Sequence, residues 1–194
     1  MITPEDKILV DNILSKYSAE DRFAFYSSGS QKVCRENKWG NPFVPGRTQE
    51  IVVCNILNMK ISNSVGGADC YDEDGPAEIK SSSPGEGTKD KKKFVAAYGG
   101  ISVFPTWEEQ LQYLDEKILG YKNHYHSRWE NGECVEIWKL DCQTVYDLLL
   151  PKLKQRYETL KVNDRIKDPR LQGVVTKKQI YRLGKKVYDS ENNA

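Results

Sequence analysis

The chain lacks most of the signatures that would settle a function quickly. No apolar run approaches the ~20 residues of a membrane span. The opening MITPEDKILVDNILSKY has neither the basic start nor the apolar stretch of a secretory signal. The expectation is therefore an intracellular, cytoplasmic protein with no membrane partner. The five cysteines, Cys34, Cys54, Cys70, Cys134 and Cys142, are odd in number and irregularly spaced, and no CxxC occurs. That argues against a disulfide framework or a zinc knuckle. No GxxxxGK[ST] is present, so ATP-driven translocation is not encoded, and GxSxG and HExxH are absent as well.

What remains is a chain of 194 residues, 38% hydrophobic and 29% charged, the profile of one soluble globular domain able to bury a core. Its net charge of +1 conceals an asymmetry. Residues 1–90 carry 10 basic against 14 acidic side chains, and residues 151–194 carry 12 against 5. Such a chain can meet a polyanion with one face and hold cations with another. A lysine-decorated solvated helix accounts for the numbers equally well.

Thr3-Pro4-Glu5-Asp6 opens a helix over 4–16, with Ile8, Leu9, Ile13 and Leu14 at helical spacing. A second helix is expected over 19–27, and NKWGNPFVPG is irregular. QEIVVCNILNMK reads as a mostly buried helix capped by Thr48. Residues 65–71 and 77–81 form two strands of a hairpin that turns at Asp72-Glu73-Asp74-Gly75-Pro76. SSSPGEGTKDKKK is a basic-ended loop, and KFVAAYGGISVF a third strand. TWEEQLQYLDEKILGY is a helix with a Thr106/Glu109 capping box. HYHSRWENGECVEIWKLD is a second hairpin turning at Glu130-Asn131-Gly132. DCQTVYDLLL is a helix interrupted at Pro151, and TKKQIYRLGKKVYDS a final basic helix capped by Thr176. The order describes a mixed α/β domain: an N-terminal helical part (1–45), a helix-hairpin core (46–104) and further α/β elements (105–194).

The chemistry concentrates in GADCYDEDGPAEIKSS, residues 67–82, which holds five carboxylates and a single lysine. Strand parity places Glu78 and Lys80 on one face and Ile79 on the other, and a tight hairpin can bring Asp69 beside that face. Two carboxylates converging beside one ammonium repel each other, and a divalent cation relieves the repulsion. Hard oxygen ligands suit magnesium, and a carboxylate-held magnesium beside a lysine supplies the parts for phosphodiester hydrolysis.

Asp69, eight intervening residues and Glu78-Ile79-Lys80 resemble the signature of the PD-(D/E)XK nucleases, over about residues 46–104. The resemblance implies a restriction-endonuclease-like core, a mixed central sheet flanked by helices. It implies Asp69, Glu78 and the Ile79 backbone carbonyl as metal ligands and Lys80 as the catalytic lysine. Many members carry a glutamate on the preceding helix, a position that Glu50 fits, sharing a face with Val53, Cys54 and Leu57. The proline that members place before the aspartate is Ala68 here, after Gly66-Gly67. Among the family's branches, a small type II restriction endonuclease fits best. That branch implies Mg2+ (with Mn2+ able to substitute), double-stranded DNA, 5′-phosphate ends, a homodimer and a cognate DNA methyltransferase as functional partner. The alternatives are a structure-specific resolvase or repair nuclease of the same fold, or a non-catalytic DNA-binding module on a degenerate one.

Other features admit plainer readings. An EF-hand register with Gly75 at position 6 puts Cys70 at position 1 and Ser81 at position 12, so the acids Asp72, Glu73 and Asp74 read as turn residues. His124 and His126 share a strand face, but their spacing matches no zinc framework, and a structural or surface role is expected. Ser81, Lys91, Lys92 and Lys93 after the hairpin, and Lys177, Lys178 and Arg182 on the last helix, are the candidate DNA contacts. Solvated surface is the competing reading for the basic ones.

Overall fold

The computed structural model describes residues 3–63, 67–83, 94–162 and 169–192. The chain separates into two compact units, Met1–Arg47 and Thr48–Ala194. The first holds α1 (Pro4–Leu14) and α2 (Ala19–Glu36). Helix α1 starts with a reciprocal capping box between Thr3 and Asp6. Helix α2 runs 18 residues, past the expected end at 27. Ser28 and Ser30 donate their hydroxyls back to the Phe25 and Tyr26 carbonyls, so these serines continue the helix instead of ending it.

The second unit is α/β. Helix α3 (Arg47–Ile56) is followed by β1 (Lys60–Ile61), β2 (Cys70–Asp72), β3 (Gly75–Ser82) and β4 (Val95–Ile101). Then come α4 (Trp107–Leu114), a π-helical turn (Asp115–Leu119), β5 (Asn123–Glu130), β6 (Glu133–Asp141) and α5 (Cys142–Val162). The chain continues with β7 (Leu171–Thr176), α6 (Lys177–Leu183), β8 (Lys185–Asp189) and a 3-10 turn, Ser190–Asn192. Six strands form one mixed sheet in the order β1-β2-β3-β5-β6-β8, in which β3 and β5 are parallel and the other pairs antiparallel. No helix of the described residues is long and apolar enough to cross a membrane.

Each face of this sheet has its own core. Cys70, Ala77, Ile79, Tyr125, Trp129 and Ile137 meet Val53 and Cys54 of α3. Leu140, from the opposite face, belongs to a second cluster with Tyr98, Leu114, Val145, Leu149, Leu153, Leu171 and Ile180. The sheet is thus covered on both sides, as its short apolar stretches require.

Several sequence expectations are corrected. Thr48 lies inside α3 and does not cap it. The turn between β2 and β3 is tighter than five residues, because Asp72 already pairs with Gly75. The third strand, β4, leaves the hairpin's sheet and pairs with β7 in a separate two-stranded sheet, so β5 takes the place beside β3. Helix α5 continues through Pro151. An interior proline costs about 3 kcal/mol, whereas buried Val145, Leu149 and Leu153 each contribute about 1.5–3 kcal/mol. Packing prevails here.

The final basic helix is only seven residues long, and Lys185 and Lys186 belong to an edge strand. The change occurs at Gly184, where an added Cβ would lie 2.6 Å from Leu140 Cδ1 and 2.8 Å from the Ile180 carbonyl. Gly184→Ala is expected to cost about 2 kcal/mol in urea denaturation, through this overpacking. The Asn131-Gly132 turn does form, with φ of 51° and 84° and Glu130 paired to Glu133.

Candidate active site

The hairpin positions Asp69 by main-chain ties as well as by strand parity. Asp69 stands one residue before β2. Its N–H donates to the Ala77 carbonyl (3.1 Å) while Cys70 is the register partner of Ala77, so two residues address one. Such a two-against-one arrangement re-aims a side chain. The Asp69 carbonyl accepts from Ser62 N (3.0 Å), which holds the residue from its other side. Its side chain then turns to β3, where Oδ2 accepts from Ile79 N at 2.8 Å. Because Ala77 and Ile79 are two apart on one strand, parity points the Ile79 carbonyl toward the same edge.

Glu78 and Lys80 lie on the sheet face opposite the buried Ala77 and Ile79, and the Lys80 ammonium forms an ion pair with Glu78. Glu50 sits in the first turn of α3, half-buried, beside buried Val53 and Cys54. Burial first, then the charges of Glu78 and Glu50, push the Asp69 carboxyl up to about 7; the Ile79 N–H and the Lys80 charge pull the other way. Among the described residues, no three His, Cys, Asp or Glu side chains are gathered into a ready cation cage. That leaves Asp69 and Glu78 as the pair to test against magnesium, which commonly takes one or two carboxylates and keeps its waters.

Glu78 and Lys80 form one wall of a cavity of about 240 Å³. Tyr98 and Gly99 of β4, Tyr113, Lys117 and Tyr121 line it as well, together with His124. No local pattern marks these residues as part of the site. The one signal in the chain is the His124-Tyr125-His126 alternation, since His124 and His126 are the register partners of Glu78 and Lys80. Both imidazoles are fully buried, and burial pushes His124 down to about 4 and His126 to about 3, so both are neutral.

The acidic turn is structural, and more firmly so than a solvated turn would be. Asp72 Oδ1 accepts from Asp74 N and Gly75 N, and its Oδ2 accepts from Asn123 Nδ2 (2.8 Å) and the Tyr125 hydroxyl (2.7 Å). Asp74 accepts from Asn123 and Lys139. Burial would raise the Asp72 carboxyl, but the bonds from Tyr125 and Asn123 hold it below its ordinary value.

Among the described residues, none of the expected DNA contacts lines the cavity. The Ser81 hydroxyl is hydrogen-bonded to that of Ser127 at 2.8 Å. Lys177, Lys178 and Arg182 are exposed on α6, and none lines the cavity. Lys91, Lys92 and Lys93 lie outside the described residues. Neither a protein-family model nor a curated protein matches the chain.

Proposed function

We propose that the protein is a magnesium-dependent endonuclease that hydrolyses phosphodiester bonds of double-stranded DNA, in the manner of a type II restriction enzyme. The observation that carries the reading is the hairpin that fixes Asp69 Oδ2 on the Ile79 N–H and pairs Glu78 with the Lys80 ammonium at a cavity wall. A carboxyl whose proton affinity is raised by burial and then by neighbouring carboxylates is a candidate for a functional site.

The donors fit the metal, being hard oxygens with an excess of negative charge. Asp69, Glu78 and the Ile79 carbonyl would hold magnesium, with Glu50 on the preceding helix, and a bound ion would supply positive charge to phosphoryl oxygens and a more acidic water. The chain's own groups supply position. Ile79 N–H fixes Asp69 Oδ2, and Lys80 Nζ donates to the attacking water or to a phosphoryl oxygen, offsetting the charge that grows there. The cavity is far smaller than a duplex, so it would take a phosphodiester of one strand, and a symmetric pair of copies would serve both.

The test is incubation of unmethylated plasmid and phage DNA with magnesium, beside EDTA controls. Discrete, ligatable fragments ending in 5′-phosphate are expected. Cutting confined to branched DNA would favour the structure-specific reading, and no cutting of any DNA form with magnesium or manganese would overturn both.

A further inference from the structure

The buried histidines form a directed hydrogen-bond chain through Tyr98, whose ring lies by the proposed catalytic lysine. His124 Nε2 lies 3.1 Å from the Ile118 carbonyl. A carbonyl only accepts, so Nε2 carries the proton, and the neutral ring leaves Nδ1 as an acceptor. The Tyr98 hydroxyl, 3.1 Å away, donates to that Nδ1. Its single proton is then used, so the Tyr98 oxygen accepts from His126 Nε2 at 2.9 Å. His126 Nδ1 has no partner among the described residues, and this tautomer leaves it a bare lone pair instead of a stranded N–H. The order of donation is His126 to Tyr98 to His124 to Ile118, with both tautomers determined by their partners.

This chain locates a ring that no ladder of the six-stranded sheet locates. Tyr98 belongs to β4, outside that sheet, yet Lys80 Nζ lies 5.6 Å from its ring centroid. The two imidazoles that grip its hydroxyl stand on the same rungs as Glu78 and Lys80. The chain therefore ties the ring to the strand carrying the catalytic pair, using uncharged groups that do not repel the ammonium.

We propose that Tyr98, clamped by His124 and His126, is a positioning residue for Lys80, its ring holding the ammonium at the cavity wall. The catalytic consequence rests on the nuclease reading; the placement does not. In the full-length protein with labelled lysine, the Lys80 side-chain resonances, assigned by their loss in Lys80→Arg, are expected upfield from the ring current. The shift is reduced in Tyr98→Phe, which keeps the ring and loses the clamp, and is lost in Tyr98→Leu. In DNA cleavage, Tyr98→Leu lowers kcat about tenfold with KM unchanged, and Tyr98→Phe about threefold. In a Lys80→Ala background, Tyr98→Leu has no further effect. An unshifted wild-type Lys80 resonance overturns the proposal even if Tyr98→Leu fails to fold, and so does equal loss of kcat in both backgrounds. Shifted resonances without any DNA cleavage would overturn the nuclease reading while supporting the placement.

Discussion

Asp69→Asn is expected to abolish DNA cleavage, by at least about 10³-fold, while making the protein more stable at pH 8. Asparagine keeps an oxygen acceptor for Ile79 N–H but removes the charge that burial, Glu78 and Glu50 oppose. The folded carboxyl titrates near 7, against 3.8 for the ordinary group. A raised carboxylate pKa favours folding below the unfolded value, and that contribution is lost as pH climbs through the folded value. The wild-type protein therefore loses stability between about pH 4 and pH 7, on the order of 4 kcal/mol for a shift of this size. Asp69→Asn should escape the loss. Denaturant titrations at pH 4 and pH 8 check it: the variant gains at pH 8 and gains little at pH 4. Equal stability at both values, or a less stable variant at pH 8, would show that the carboxylates do not crowd Asp69. Magnesium should raise the thermal midpoint of the wild type and not of this variant.

Lys80→Ala is expected to lower cleavage by about 10²–10³-fold, with DNA affinity at fixed salt little changed. Its effect on stability has the opposite sign. The ammonium is the ion-pair partner of Glu78 and one of the influences that lower the Asp69 pKa. Without it the carboxylates lose their counter-charge, and about 2 kcal/mol of stability should be lost at pH 8, less at pH 5 where Asp69 is protonated. Lys80→Arg should restore much of that stability without restoring activity, because a planar guanidinium does not reproduce a compact ammonium at one point. Full activity in Lys80→Arg would show that point placement of the charge is not needed.

Much of the local architecture is legible in the chain. The Thr3, Thr106 and Thr176 caps, the Asn131-Gly132 turn and the Glu78/Lys80 parity follow from short-range rules that act within a few residues. Local rules fail where packing outweighs them. Pro151 reads as a stop, yet α5 passes through it because its buried residues outweigh the lost hydrogen bond. Lys185 and Lys186 read as helix, yet Gly184 and pairing with β6 make them strand.

The same division runs through the candidate site. Chain order, strand parity and the resemblance to a nuclease signature single out the candidates, Asp69, Glu78 and Lys80 on a hairpin with Glu50 on the helix before it. What encloses those groups is set by tertiary packing. Tyr98 reaches Lys80 from another sheet, and its hydroxyl is held by His124 and His126 of β5. The π-helical turn presents the Ile118 carbonyl to His124, and Asp72 is anchored by Tyr125, 53 positions along the chain. Contacts of that kind depend on how whole elements pack against one another, which no pattern of neighbouring residues encodes.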